Sequence, residues 1–246
     1  MYEEFSKVYD KLMEDANYED RARYILSLFE DFDKKPGLML DLCCGTGAFS
    51  NIFSKSGISV IGVDVSEDML SVAREKSEKD GEDILYLCQN AAELDLYGTV
   101  DGAVCLMDSL NHITDYEEFC RVLSKVSLFL EKDRLFIFDV NTTYKAKEIL
   151  GNNTFVSEDE NLFLSWQNEY DEETNINNIY LDFFVENKDG SYVRTSENIT
   201  ERAYSKNEIE NALKNAGLRV LKVYDDMKKT PPTDKSQRVF YITKKL

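Results

Sequence analysis

The sequence predicts an α/β protein with a doubly wound, mostly parallel sheet of seven strands and a small antiparallel β insertion. Between residues 38 and 139, short apolar runs alternate with amphipathic helical segments, as parallel strands covered on both faces require. After Leu150 the apolar residues recur with period two, which is typical of antiparallel strands with one buried face. We therefore expect a core domain of residues 1–150 and 201–246, with residues 151–200 inserted as a separate antiparallel unit.

The strands of the core are predicted from apolar runs bounded by glycine or polar residues. They are residues 38–42, 59–64, 84–88, 100–107, 134–139, 218–224 and 238–243, and the last two should pair antiparallel. Three further strands are expected in the insertion, at 162–170, 178–185 and 192–200, with a hairpin turn at Lys188-Asp189-Gly190. The insertion would either roof the binding site or form a dimer contact, so a monomer and a homodimer both remain open.

The helices are predicted from their start and stop signals. Start signals are Asn17, Ser66, a capping box of Thr114 with Glu117, and a capping box of Ser205 with Glu208. The second of these helices ends at Gly81 and the last ends at Gly217, because glycine readily adopts the left-handed conformation that terminates a helix. One more helix is expected at 48–55, directly after a glycine turn.

The charge of the chain disfavours two classes of partner. Subtracting 47 acidic from 29 basic side chains gives a net charge of −18, so phosphate backbones and anionic lipid should be repelled. We expect neither a nucleic-acid partner nor a membrane-bound protein. The five cysteines show no metal-ligand spacing and lie in mostly apolar contexts, so we expect free thiols, no metal site and a cytoplasmic location. The N-terminal residues also lack the apolar region of a secretory signal.

The turn Gly45-Thr46-Gly47 joins the first predicted strand to a helix, where glycines let the backbone approach a ligand closely. Asp64 ends the second strand, where a carboxylate can accept hydrogen bonds from both hydroxyls of a ribose. Asp41 lies on the first strand just before the turn. Two carboxylates here would repel a diphosphate and attract a cationic sulfonium that carries an amino-acid tail.

These segments resemble the motifs of class I S-adenosylmethionine-dependent methyltransferases, in the branch that acts on small molecules. The matching segments are 40–47 (LDLCCGTG), 62–70 (GVDVSEDML), 89–94 (QNAAEL), 108–112 (DSLNH), the late helix 205–217 and the last strand from Gln237. The likeness covers roughly residues 36–140 and 203–246, and several motifs in the right order make it specific. Cys43 departs from the pattern, since the family usually has glycine there.

The resemblance implies S-adenosyl-L-methionine as cofactor and a small-molecule methyl acceptor. It implies that Asp41 holds the amino group, Asp64 the ribose diol, and Gly45 and Gly47 the methionyl portion. Other residues that it places around the cofactor are Val65 and Met69 beside the adenine, Asn90 and Ala91 at the adenine edge, Leu106 beside the methionyl chain, and Tyr9, Tyr18 and Arg23 near the carboxylate.

His112 is the one histidine of the chain, and it follows the fourth strand at the sheet edge where ligands of such folds bind. An unperturbed imidazole suits proton removal near neutral pH. We therefore predict His112 as the base that deprotonates the acceptor, with Asp108 as the alternative.

Three other functions are weighed against this methyltransferase. A nicotinamide-dependent oxidoreductase is disfavoured because the third glycine of the dinucleotide motif is missing and Asp41 lies beside the turn. A cofactor-binding protein without turnover remains an alternative because of Cys43. An RNA-modifying methyltransferase is a further alternative, against which the acidic composition weighs.

Overall fold

In the computed structural model, residues 17–159 and 161–246 are described. The described strands, in chain order, are β1 (Leu38–Leu42), β2 (Ser59–Asp64), β3 (Leu85–Cys88), β4 (Val100–Cys105), β5 (Leu130–Asn141), β6 (Thr154–Asp159), β7 (Leu162–Asp171), β8 (Ile176–Glu186), β9 (Tyr192–Arg202), β10 (Leu218–Asp225) and β11 (Arg238–Lys245). Seven of them form one sheet in the order β10-β11-β5-β4-β1-β2-β3, and β6-β7-β8-β9 form a second sheet. The predicted α/β class with an antiparallel addition is therefore confirmed.

The described α-helices are α1 (Tyr18–Asp31), α2 (Ala48–Lys55), α3 (Glu67–Asp80), α4 (Tyr116–Phe129) and α5 (Lys206–Asn215). Ser66 caps α3 by accepting from the amide of Met69, and α5 has the complete predicted capping box of Ser205 and Glu208. The box predicted from Thr114 and Glu117 is wrong. Asp115 is the N-cap of α4, since its carboxylate accepts from the amide of Glu118 at 2.7 Å and is the stronger acceptor there.

The order of the strands fixes where the parallel part of the larger sheet can bind a ligand. β1 lies between β2 and β4, with both of which it pairs parallel, so the chain reverses its direction of winding beside β1. Ligands of open α/β sheets bind at the carboxyl ends of the strands at such a point. β11 pairs antiparallel with both β5 and β10, as predicted for the last two strands.

Apolar side chains cover both faces of the larger sheet. On one face, Ile25 and Leu28 of α1 and Phe53 of α2 pack with alternate residues of β1, β4 and β5. On the other face, helices α4 and α5 cover the sheet through side chains that include Phe119 and Leu213. Alternate residues of each strand thus enter different cores, as the pleat requires.

The second sheet has one strand more than its sequence pattern predicts. β6 pairs antiparallel with β7 and is exposed along its whole length, so it has no buried face to impose an alternating pattern. Leu162 of β7 and Phe183 of β8 pack on Met69 of α3, so this sheet lies against the core beside the second parallel strand. None of the described helices is both long and apolar enough to cross a bilayer.

Candidate active site

The two glycines of the turn after β1 have different structural roles. Both have a left-handed backbone, with φ of 53° at Gly45 and 70° at Gly47. A Cβ on Gly45 would meet nothing within 4 Å, whereas one on Gly47 would lie 2.5 Å from the hydroxyl of Tyr86. Gly45 therefore opens space at the sheet edge, while Gly47 allows Tyr86 to pack.

Cys43 keeps the backbone of a glycine although it carries a side chain. Its φ is 58°, in the left-handed region that glycine favours. The departure from the family pattern therefore changes the side chain without changing the backbone conformation that the turn requires.

Asp64 at the end of β2 is fixed by backbone amides. Its Oδ2 accepts from the amide of Gly45 at 2.8 Å, and its Oδ1 accepts from the amide of Ser66 at 2.9 Å. Each carboxylate oxygen keeps a further lone pair, so a diol could still donate to it. The carboxylate also ties β2 to the glycine turn through the amide of Gly45.

Asp41 is a buried carboxyl group with one hydroxyl partner. It is 2% exposed, and its Oδ2 accepts from the Ser50 hydroxyl at 2.5 Å. Burial raises the pKa of Asp41 to about 7, and the nearby Asp64 adds to the rise, while the bond from Ser50 opposes it. Near neutral pH a cation beside Asp41 would therefore draw the group into its charged form.

Asp41 and the turn line a small cavity of about 40 Å³. Tyr18, Phe49, Leu106, Met107 and Ser109 complete much of the lining. The Tyr18 ring meets Phe49 edge-on at 5.0 Å, so α1 reaches this cavity. One carboxyl group, an open glycine and apolar walls fit the cationic amino group at the amino-acid end of the predicted cofactor.

One of the residues predicted near the cofactor carboxylate, Arg23, does not line this cavity. Arg23 is exposed on α1, where its guanidinium pairs with Asp20 and donates to the carbonyl of Glu19. It faces solvent because the other side of α1 is buried against the sheet, so the prediction for Arg23 is not supported. Tyr9 lies outside the described residues.

The residues predicted around the adenine follow the ends of β2 and β3, on the same sheet edge as the turn. Val65 is exposed, whereas Met69 is buried under Leu162 and Phe183 of the second sheet. Asn90 accepts from the amide of Ala92 at 2.7 Å and so begins the 3₁₀ turn Ala91–Glu93. Its side-chain oxygen thus already has a donor within the chain.

The chain leaves β4 through two consecutive left-handed residues, Met107 at φ 58° and Asp108 at φ 52°. Non-glycine residues rarely adopt this conformation. The buried carboxylate of Asp139 on β5 holds it, because it accepts from both of these amides at 2.8 and 2.9 Å. Arg238 of β11 pairs in turn with Asp139 and, at 2.6 Å, with Asp108.

Asp108 is held in its charged form by its neighbours. Burial alone would raise its pKa, but Arg238 and then Lys145 and His112 hold the pKa of Asp108 below its usual range. Its Oδ2 also accepts from the side-chain Nδ2 of Asn141 at 2.5 Å. A carboxylate so fully bonded is a poor proton acceptor.

His112 ends the 3₁₀ turn Ser109–His112 that follows this loop. Its side chain is 44% exposed, and its Nε2 lies 3.8 Å from Oε1 of Glu201. Glu201 belongs to β9, so the second sheet contributes a carboxylate to the end of β4.

Sequence reasoning did not identify Asp139, Asn141, Lys145, Glu201 or Arg238 as parts of this site. Asp139 and Asn141 end β5 at the same sheet edge, so the rule that selected Asp64 could have found them. Lys145 begins a short π-helix, Lys145–Leu150, and donates to Oδ1 of Asn141 at 2.9 Å. No local signal marks Glu201, which lies in an alternating strand.

A larger cavity of about 590 Å³ lies beside the ends of β5 and β11. Its lining includes residues 140–144, Tyr204 and Tyr241, and Pro231 and Pro232. Asn141 belongs both to this cavity and to the charged cluster of Asp108, Asp139, Lys145, Glu201 and Arg238. A molecule of metabolite size therefore has room next to that cluster.

Comparisons with known proteins agree on one family. The sequence model described as a methyltransferase domain matches residues 39–132. A protein of Geobacillus sp. (strain WCH70) that is named as a methyltransferase is 32% identical over 245 residues, covering 99% of each chain. The crystal structure of an S-adenosylmethionine-dependent methyltransferase from Clostridium acetobutylicum ATCC 824 is 30% identical, with a TM-score of 0.91, and covers 99% of this chain and 98% of that one.

Two further matches are more distant. A ubiquinone biosynthesis O-methyltransferase of Coxiella burnetii (strain Dugway 5J108-111) is 30% identical over 108 residues, which is 44% of this chain and 45% of that protein. The S-adenosylmethionine-bound structure of an amino pentose methyltransferase from Micromonospora echinaspora is 17% identical, with a TM-score of 0.78, and covers 96% of each chain. The second of these shares the fold, a Rossmann-like sheet.

Proposed function

Because this chain belongs to the class I S-adenosylmethionine-dependent methyltransferases, we propose that it methylates nitrogen or oxygen of a small-molecule acceptor by in-line displacement. The observation that carries this proposal is that His112, which faces Glu201 at 3.8 Å, ends the turn Ser109–His112, and Ser109 of that turn lines the cavity that contains Asp41. The names of two similar proteins, a ubiquinone biosynthesis O-methyltransferase and an amino pentose methyltransferase, support a small acceptor. They leave nitrogen and oxygen equally open.

The cofactor would be held by groups that are already oriented. Two backbone amides orient Asp64, which would take the ribose hydroxyls, and Asp41 would face the amino group. Gly45 leaves room for the methionyl chain beside Leu106, and Tyr18 closes the cavity from α1. When bound, the cofactor supplies an electrophilic methyl group on a positively charged sulfur.

The adenine would lie between Val65 and Met69, with Asn90 and Ala91 at its edge. Met69 is held by the second sheet, so that sheet would shape the adenine pocket. The side chain of Asn90 is committed to the amide of Ala92. Main-chain groups of Asn90 and Ala91 are therefore the better candidates for contact with the base.

His112, rather than Asp108, is proposed as the base. Its imidazole is partly exposed to an incoming acceptor, whereas Asp108 is bonded to Arg238 and Asn141. The chain would thus contribute orientation, exclusion of water and a place for one proton.

The insertion, residues 151–200, is proposed to roof the acceptor side rather than to serve mainly as a dimer contact. Support comes from Glu201 just beyond the insertion, at the end of β9, which faces His112. Leu162 and Phe183 pack on Met69, so the sheet also covers the adenine side. Its strands continue to Arg202, two residues past the boundary expected from the sequence.

Thermal shift with S-adenosylmethionine and S-adenosylhomocysteine tests the cofactor, because a ligand of the native state must raise its stability. Incubation of metabolite extracts with methyl-labelled cofactor, followed by mass spectrometry, then tests the acceptor. We expect stabilisation by both cofactor forms and a labelled small molecule. No stabilisation by either form would overturn the proposal.

A further inference from the structure

Glu201 lies near the end of β9, on the face of the second sheet that is turned toward the core. Its side chain is 13% exposed. Its Oε2 accepts from Nδ2 of Asn141 at 3.3 Å, while its Oε1 faces Nε2 of His112 at 3.8 Å. One oxygen is thus anchored to the core and the other faces the proposed base.

Among the charged groups of this cluster, Glu201 is the carboxylate left without a strong cationic partner. Asp108 and Asp139 both pair with Arg238. Within the described part of the chain, His112 is the partner in the ion-pair contact that Glu201 makes. The charge of Lys145 lowers the pKa of both Glu201 and Asp108, but the hydrogen bond of its Nζ goes to Oδ1 of Asn141.

The environment of Glu201 favours an added positive charge. Burial raises the pKa of Glu201, and the charge of Asp108 adds to the rise, while His112 and Lys145 oppose it. On the neighbouring strand β8, Asn177 lies opposite Glu201 and its buried Oδ1 has no donor among the described residues. The unused groups on this face are acceptors, so a ligand that brings hydrogen-bond donors is favoured.

The separation of 3.8 Å between Oε1 and Nε2 exceeds a direct hydrogen bond. One polar atom that lies to one side of the pair, at about 2.8 Å from each, could bond to both, provided that it carries two donors. Glu201 accepts when ionised, and His112 accepts at Nε2 when it is neutral with its proton on Nδ1. A primary or secondary ammonium offers at least two donors, whereas a hydroxyl offers one.

We propose that the methyl acceptor is an amine, bound as an ammonium between Glu201 and His112. This inference rests on the proposed function and chooses nitrogen over oxygen. Glu201 would select the cation, and the ammonium proton would pass to Nε2 of His112, leaving the imidazolium beside the carboxylate. The freed nitrogen lone pair then forms the new N–C bond as the C–S bond of the sulfonium breaks and its electron pair stays on sulfur.

The test uses the fact that His112 is the one histidine in the chain, so an untagged protein gives a single set of imidazole signals in NMR. Protein saturated with S-adenosylhomocysteine is titrated at constant pH with cyclohexylamine and, separately, with cyclohexanol. We expect saturable movement of the imidazole signals with the amine and none with the alcohol. An equal response to both probes, or none to the amine, would overturn the proposal without any variant.

Two carboxylates of β9 provide a matched pair of variants. Glu201→Gln should weaken the amine response at least tenfold. Glu197 is a matched control, because it is buried on the same strand and face, opposite Leu181, and burial likewise raises its pKa. Glu197→Gln should leave the amine response unchanged, since it is Glu201 that faces His112. Equal responses in the two variants would mean that Glu201 does not bind the amine.

Turnover separates this inference from the proposed function. Cyclohexylamine and other primary amines are compared with alcohols of the same skeleton as acceptors of labelled methyl. Methylation of the alcohols alone would overturn the amine inference and leave the methyltransferase intact. Failure of S-adenosylhomocysteine to bind wild-type protein would instead overturn the proposed function.

Discussion

Asp139 on β5 and Arg238 on β11 form an ion pair that is almost fully buried at the edge of the larger sheet. The same carboxylate holds the two left-handed residues that follow β4. Asp139→Ala should therefore destabilise the protein by about 3–5 kcal/mol, because it leaves a buried guanidinium underpaired and two amides without an acceptor. Denaturant unfolding monitored by fluorescence measures this change.

The same two strands provide a control for that prediction. Asp133 and Lys244 also pair across β5 and β11, at 2.6 Å, but on the solvent-exposed side. Asp133→Asn should leave the unfolding midpoint unchanged within error, since exposed ion pairs contribute little. Equal losses in both variants would show that burial is not what makes the Asp139 pair important.

Gly45 and Gly47 should respond differently to alanine. Gly47→Ala places a methyl group 2.5 Å from the Tyr86 hydroxyl, so we expect a loss of about 2–4 kcal/mol of stability from overpacking and left-handed strain. Gly45→Ala meets open space, so its stability loss should be about 1 kcal/mol, and its main effect should be weaker binding of S-adenosylhomocysteine.

A double-mutant cycle tests the cause of the Gly47 effect. Removing the hydroxyl by Tyr86→Phe should recover part of the stability lost in Gly47→Ala and none of that lost in Gly45→Ala. Additive effects of Gly47→Ala and Tyr86→Phe would show that the contact with the Tyr86 hydroxyl is not the cause and would leave the contact with Cβ of Ala73, at 2.9 Å.

Asp64 and Asp101 offer a matched test of the ribose site. Each carboxylate accepts from two backbone amides: Asp64 from Gly45 and Ser66, and Asp101 from Gly37 and Leu38 at the opposite edge of the sheet. Asp64→Asn should weaken S-adenosylhomocysteine binding at least tenfold, measured by calorimetry. Asp101→Asn should alter stability alone, and an equal loss of affinity would contradict the assignment.

Cofactor binding should depend on pH through Asp41, whose pKa in the folded protein is about 7. If the cofactor ammonium requires the carboxylate, its affinity should fall about tenfold per pH unit below pH 7. Asp41→Asn should bind more weakly and without this dependence. A wild-type affinity that stays constant between pH 5.5 and about 8 would contradict the role of Asp41.

The same pKa predicts a stability effect in the absence of cofactor. A carboxyl group whose pKa is higher in the folded than in the unfolded state stabilises the fold fully below the unfolded value near pH 4, and this contribution is lost as the pH rises through 7. Asp41→Asn should therefore gain stability relative to wild type as the pH is raised from 5 to 8, by roughly 2–4 kcal/mol. An equal difference in the free energy of unfolding between Asp41→Asn and wild type at pH 5 and pH 8 would contradict this prediction.

Much of the core architecture could be predicted because its signals are local. The alternation of apolar strands and capped helices indicated the sheet, and α2 has the predicted bounds. β6 could not be predicted, because its exposed residues carry no alternation. The start of α4 was misassigned because Thr114 and Asp115 both suit an N-cap, and the structure selects Asp115.

The sequence by itself determined the turn at Gly45 and Gly47, the acids at the ends of the first two strands and the family, because each depends on residues close together in the chain. Only the tertiary structure decided which groups surround His112 and Asp108. Glu201 reaches His112 because the end of β9 packs on the turn Ser109–His112, where Nδ2 of Asn111 donates to the carbonyl of Arg202 at 2.8 Å. Arg238 reaches Asp139 through the antiparallel register of β5 and β11. Such pairings depend on strand register and on burial of distant segments, which no local pattern of residue types records.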